Sequence, residues 1–432
     1  MNLAPRAMLL ATLAAVLALA GLWSGEPLLR SAWRLPLVLL VLGLAWEGWA
    51  RRRDPVRASL DLPPRLYLGR AAEASLVLAH DGPRPVEVEV APAAPAALRP
   101  LGDPRRIGLP AAGASVARLD LLPRRLGEHR WPSLPARRLG RFGLAWWSQP
   151  LEVAATCRVA PDTSRVGARR TSGATRGLRA RRVAGAGSEL RQLRAYAPGD
   201  PLSRIDWKCS ARAGELVTRE FTEDQHLDVL LALDVGRLSR VRAGELDRLG
   251  VHANLAARFA EAAVLRDDRV GLLAWSDGPR AACAPDRGAR AVLRIRERLA
   301  SLATDPGESD PVAAAIAARQ LMRHRGLVVL LTDVEDAALH PLLARAIRLL
   351  SPPHLALVAG IHGHDAAALA RREASDDRDA WVAVAALEAE ARAQRQAALL
   401  RRLGAPVVLA DESGLEDAVL HAYEQLRRRR RV

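Results

Sequence analysis

The sequence predicts an α/β protein made of two N-terminal transmembrane helices, a β-sandwich domain and a C-terminal doubly wound domain. Three observations predict it. Two apolar runs open the chain. Strict apolar–polar alternation fills its middle. Continuous apolar runs alternate with helical patterns from there onward. The boundaries read as 1–55 for a transmembrane hairpin, 56–162 for the β-sandwich, 163–187 for an arginine-rich linker and 188–432 for the last domain.

Composition narrows the function classes. The 432 residues allow two to four domains and an ample core. With 50% hydrophobic and 26% charged residues, the chain is not a disordered one. The formal net charge is +16, and among 64 basic residues only Lys208 is a lysine. Arginine alternates with Asp and Glu instead of gathering into one patch, which argues against a nucleic-acid binder. Cys157, Cys209 and Cys283 lie far apart, so neither a disulfide framework nor a zinc signature is present.

Residues 7–25 carry no charge, and 19 helical residues span close to the ~30 Å of a bilayer's hydrocarbon. A second run, LPLVLLVLGLAW, covers 35–46. Trp23, Trp33, Trp46 and Trp49 mark the run ends, where an interfacial belt sits. A cleaved signal peptide would explain the first run but not the second. Arg6 before the first helix and Arg51, Arg52, Arg53 and Arg57 after the second place both ends in the cytoplasm. The expected location is the inner, cytoplasmic membrane, crossed twice, with the soluble domains cytoplasmic.

Segments 74–80, 86–90, 114–122 and 151–160 alternate as half-buried strands do, and Pro, Gly and Asp punctuate them. This is the expected β-sandwich. The stretch 164–182 carries seven arginines and little periodicity, and reads as a solvated connection or a contact for anionic headgroups.

In the last domain, 227–234, 270–275, 327–333, 354–361 and 406–411 read as buried parallel strands. Helical patterns cover 244–266, 288–303, 311–325, 337–350, 379–403 and 414–430. No P-loop or GxGxxG follows a strand. Asp234 and Asp333 close two strands, at the sheet edge where open α/β sheets bind ligands. With Ser309 from the GESDP loop they offer oxygens of the kind Mg²⁺ takes.

This arrangement resembles the von Willebrand factor type A domain and its metal-ion-dependent adhesion site. Asp234 and Asp333 match that family's aspartates, and Ser309 stands where it has a threonine. Gly236 and Leu238 stand where its two serines belong. The resemblance therefore implies a degenerate site, with no cofactor beyond Mg²⁺ held no tighter than millimolar.

The segment 188–221, SELRQLRAYAPGDPLSRIDWKCSARAGELVTREF, resembles the signature of the domain-of-unknown-function 58 family. Glu189, Leu193, Arg194, Tyr196, Pro198, Gly199 and Asp200 match its first half. Arg204, Ile205, Asp206, Trp207, Lys208, Ser210, Ala211, Arg212, Leu216, Val217, Arg219 and Phe221 match the second. Members of that family are often encoded beside MoxR-type AAA+ ATPases.

Read physically, Pro198-Gly199-Asp200-Pro201 is a turn. Arg194, Arg204 and Arg212 with Asp200, Asp206 and Glu220 suggest a charged network that pins the segment to the β domain or faces a partner. Trp207 is expected to be buried. No nucleophile–base set stands out. The expected function is a non-enzymatic, membrane-anchored interaction module. Its implied partners are a MoxR-type ATPase, an unknown client and the lipid bilayer, with no nucleic acid. The alternative is an adhesion-type protein that grips ligands through Mg²⁺ at Asp234, Ser309 and Asp333.

Overall fold

The computed structural model describes residues 2–24, 27–163, 184–185, 189–222, 226–362 and 376–429, with single residues at 369, 371 and 373. The arginine-rich stretch 164–182 lies outside the described residues. Two compact units emerge. The first holds residues 1–162 with the short pieces 245–250 and 299–303, and the second holds the remainder.

In the first unit, helix α1 (Pro5–Ser24) and helix α2 (Arg34–Arg53) are joined through a short helix, Pro27–Ala32. Both are long and apolar enough to cross a membrane, over Pro5–Trp23 and Arg30–Arg53. Most of their leucines and valines face outward, as a lipid-facing helix requires and a core helix does not.

The β part of this unit has ten longer strands among the described residues. They are β1 (Arg57–Asp61), β2 (Ala72–Ala79), β3 (Val86–Val90), β4 (Leu98–Leu101), β5 (Arg105–Leu109), β6 (Ala114–Pro123), β7 (Gly127–Leu134), β8 (Ala136–Leu139), β9 (Ala145–Ser148) and β10 (Leu151–Ala160). One sheet runs β1-β2-β6-β4, and a second runs β9-β8-β3-β5. A third pairs β7 with β10 and adds Leu66–Tyr67. Alternation is what buries one face: Ala74, Leu76 and Leu78 of β2 point inward while their neighbours do not. Trp131 and Leu134 of β7 and Val159 of β10 complete that interior.

One strand of the second sheet precedes α1. Asn2 pairs with Trp146 and Leu3 with Ala145, and Ala4 N–H donates to the Leu144 carbonyl at 2.8 Å. The start of α1 and the end of α2 therefore meet the same end of the β part.

The second unit begins with the signature. β11 (Glu189–Ala195) lies antiparallel to β12 (Val217–Thr222), and between them stands a short helix, α3 (Trp207–Ala213). The sequence reading names no helix over this stretch, yet the chain is helical there. Asp206 caps the helix start, and Gly214 closes it in the left-handed region at φ 74°.

The main sheet follows, with strands β13 (Asp228–Asp234), β14 (Arg269–Trp275), β15 (Pro279–Asp286), β16 (Gly326–Leu331), β17 (Leu355–Ile361) and β18 (Val407–Ala410). Their order is β15-β14-β13-β16-β17-β18. All neighbours are parallel except the β14–β15 edge, which is antiparallel. The sequence reading missed β15. The prolines at and near its ends, Pro279 and Pro285, and its exposed alternation hid it beside the apolar runs. Helices α4 (Arg248–Val264), α5 (Gly288–Ala300), α6 (Pro311–Leu321), α7 (His340–Leu350), α8 (Asp377–Arg402) and α9 (Leu415–Arg429) make the crossovers and the C-terminal cover. β13 and β16 are buried along their whole length, which is why they read as unbroken apolar runs. The chain order turns around between β13 and β16, so this doubly wound sheet has its switch point there.

Candidate functional site

At the switch point, Asp234 ends β13 and is 4% exposed. Its Oδ1 accepts from Ser309 Oγ at 2.6 Å and from Gly236 N–H at 2.9 Å. Its Oδ2 accepts from Thr332 Oγ1 at 2.6 Å. Thr332 falls inside the expected strand 327–333, yet β16 stops at Leu331 and the hydroxyl turns to Asp234. Asp333 lies beyond the strand too, and its carboxylate caps Glu335 N–H at 2.8 Å. Burial pushes the Asp234 carboxyl above its usual range, against the pull of its three donors, and the Asp333 charge pushes the same way.

Ser309 is placed by the loop that carries it. Asp305 N–H donates to the Val235 carbonyl at 2.6 Å, and Arg237 N–H to the Gly307 carbonyl at 3.0 Å. Asp310 then caps α6 by accepting from Val312 N–H at 2.8 Å. The result has a steric consequence. A Cβ at Gly236 would lie 2.1 Å from Ser309 Oγ. Ser309 thus fills the room that a serine side chain at position 236 needs.

These residues do not fit a held Mg²⁺. Asp234 has both oxygens engaged, Gly236 has no side-chain oxygen, and Leu238 is apolar. Ser239, the nearest further hydroxyl in the chain, is buried and donates to the Gly236 carbonyl at 2.6 Å. Among the described residues, no group of three His, Cys, Asp or Glu side chains is placed to hold a metal.

Asp234→Asn tests the buried carboxyl. Asp234's native pKa is raised above its unfolded value, so its contribution favours folding fully below about pH 4 and fades as pH rises through the native value. The asparagine variant lacks that loss. Urea titrations should show it gaining on the parent between about pH 4 and neutrality. A variant that instead loses ground as pH rises shows a charge fully compensated in place.

The signature residues form a second locus. Arg194 Nη2 pairs with Asp200 Oδ1 at 2.7 Å, while Asp200 Oδ2 accepts from Ala197 N–H at 2.9 Å, closing the Pro198-Gly199 turn. Asp206 Oδ1 accepts from the Lys208 and Cys209 amides, each at 3.1 Å, and its Oδ2 pairs with Arg219 Nε at 3.0 Å. Ser210 Oγ donates to the Asp206 carbonyl at 2.8 Å and accepts from Val217 N–H at 2.9 Å. These donors hold both carboxyls below the usual carboxylate range: the Arg194 guanidinium for Asp200, the Cys209 amide first for Asp206.

These contacts join signature residues to one another. Arg204 reaches Asp200 through its field. Arg212 is exposed, and Asp206 takes Arg219 as its guanidinium partner. Trp207 is a correction to the sequence reading. It is 66% exposed, not buried, because the helix cap turns it outward while Ile205 takes the interior place at 4%. Leu202, Leu193 and Leu216 are also exposed, beside Lys208, and Tyr196 is half-buried.

No curated protein matches the sequence significantly. Among solved structures, the chain is similar to the conserved hypothetical protein BatB from Bacteroides thetaiotaomicron, with 11% identity, 46% of this chain and 99% of that chain covered, and a TM-score of 0.30. An α2-macroglobulin from Escherichia coli gives 20% identity, 25% and 17% coverage and a TM-score of 0.22, so this chain spans under a fifth of that one. Proximal thread matrix protein 1 from the mussel byssus, with a zinc-occupied MIDAS motif, gives 12% identity, 32% and 36% coverage and a TM-score of 0.23. Residues 192–369 match the family described as "Protein of unknown function DUF58". That stretch starts inside the signature and runs through β17, and over it this chain is similar to that family.

Proposed function

We propose that the chain is a non-enzymatic protein-interaction module, anchored in the cytoplasmic membrane by α1 and α2, that works with a MoxR-type AAA+ ATPase on a client complex. The anchor is supported by two outward-facing apolar helices whose free ends meet one side of the β part. The arginines at those ends favour the cytoplasmic side. The family resemblance suggests the ATPase.

One observation carries the interaction reading. The matched family segment builds a short helix with two capping networks, and that helix presents Trp207 to solvent. An exposed tryptophan on a helix capped at both ends, with Lys208 and Arg212 also exposed on that helix, has the character of an interface hot spot. Nothing in the cap network needs the indole.

A photo-crosslinker at position 207 in native membranes should capture the ATPase or the client, and one at exposed Val116 should not. Trp207→Ala should change stability by no more than about 0.5 kcal/mol, as surface positions do, yet cut co-purification of the partner about tenfold or more. Chelator should leave the complex intact, whereas loss with chelator favours the adhesion alternative. Co-purification of the alanine variant at the parent's level would remove Trp207 from the interface.

A further inference from the structure

We propose that the β-facing end of the helical hairpin binds one anionic phospholipid. An acyl chain lies in a groove between α1 and α2, and the phosphate lies in the basic cleft that adjoins it. The inference rests on the membrane reading above.

The groove is apolar, about 680 Å³, within the ~300–1,000 Å³ of small-ligand sites. Leu9 and Leu10 of α1 line one wall, and Leu39, Leu42 and Trp46 of α2 the other. Phe142 and Leu144 from the β8–β9 turn close its end. Among the described residues, Arg6 is the one charged group on its lining. In a spanning hairpin this groove opens toward acyl chains, so hydrocarbon is what reaches it.

The cleft, about 1380 Å³, shares Arg6 and Trp46 with the groove. Among the described residues, seven arginines line it against three carboxylates, Glu47, Asp54 and Glu87. Glu47 is engaged by protein donors: its carboxylate accepts from Phe142 N–H at 2.7 Å, Leu144 N–H at 3.2 Å and Trp147 Nε1 at 3.2 Å. The arginines keep donors to spare. Arg6 gives one hydrogen bond, at 3.1 Å, to the Phe142 carbonyl. Arg141 stacks over Trp46 with its guanidinium 4.7 Å from the ring, and Arg53 over Trp49 at 3.9 Å. Stacking holds a guanidinium flat and leaves its edge N–H groups free for a two-pronged grip on phosphate. A zwitterionic headgroup would bring a cation into this excess of positive charge. A net-anionic one would not.

The test uses the purified full chain in detergent. Native mass spectrometry would compare retention of phosphatidylglycerol and phosphatidylcholine with identical acyl chains. Retention of phosphatidylglycerol should exceed that of phosphatidylcholine about tenfold, the equivalent of one good charge-assisted contact pair. Arg6→Gln with Arg141→Gln should abolish the preference, and Arg141→Gln alone, which leaves the Phe142 contact intact, should reduce it. Leu42→Trp, which fills the groove, should lower retention of both lipids. Arg290→Gln, exposed in the second unit, should change nothing. Inorganic phosphate should fail to displace the lipid, because it has no chain for the groove. Equal retention of the two lipids, or a preference that survives the double variant, overturns the site. Vesicle flotation keeps the two readings apart. A chain that floats but shows no preference refutes the lipid site alone, and a chain that floats with neither vesicle refutes the membrane reading.

Discussion

Replacing Trp275 by alanine should destabilise the second unit by about 3–5 kcal/mol, the usual cost of deleting a fully buried large aromatic. Trp275 ends β14, is 0% exposed and packs with Leu230, Leu273, Ala314 and Val328 in the core on one face of the main sheet. Its carbonyl also holds the chain just past β13, by accepting from Val235 N–H at 2.8 Å. Collapse of the cavity would therefore reach the Asp234 corner. Trp275→Phe should cost far less. The indole N–H is buried with no hydrogen-bond partner among the described residues, so phenylalanine removes a group that gains nothing there. Chemical denaturation of both variants separates packing from polarity. A phenylalanine variant as unstable as the alanine one would show that the indole N–H is satisfied.

Glu47→Ala should cost about 3 kcal/mol or more in the first unit. The glutamate is 2% exposed and accepts from two backbone amides and one indole N–H. Each donor left without a partner at a buried position costs ~1–3 kcal/mol. Hydrogen exchange should show the loss at Phe142 and Leu144 before the rest of the unit. Glu47→Gln keeps an acceptor oxygen but turns an amide toward three donors, so it should fall between parent and alanine. Unchanged exchange at those amides in the alanine variant would mean that water takes over the glutamate's place.

The parts legible in the sequence are those where burial writes one pattern along the chain. β13 and β16 showed as continuous apolar runs because both faces are covered. β3 and β10 showed as alternation because only one face is. Short elements were not legible. α3 has seven residues, too few for helical period to declare itself, although Asp206 ahead of it and Gly214 behind it are cap residues that carry that signal. A large aromatic flanked by Ile205 and by the pair Asp206 and Lys208 reads as buried, and the cap geometry reverses that. At the switch point, Asp234 and Ser309 were legible as oxygen donors at loop positions, and they do meet at 2.6 Å. Thr332 was hidden inside a strand-like run. The fit of Ser309 into the space over Gly236 depends on a loop path that no spacing encodes.

The strand ahead of α1 sets an order of assembly. Asn2 pairs with Trp146, so its partner leaves the ribosome roughly 140 residues later, about 7–30 s at common rates of synthesis. During that delay both helices are made, and their apolar faces need a home before the second sheet can close. The sheet's edge strand is thus delivered by a hairpin already settled elsewhere, and β9 is the late arrival that docks onto it. A bulky tag fused ahead of Asn2 would act at this last step, slowing maturation of the β part.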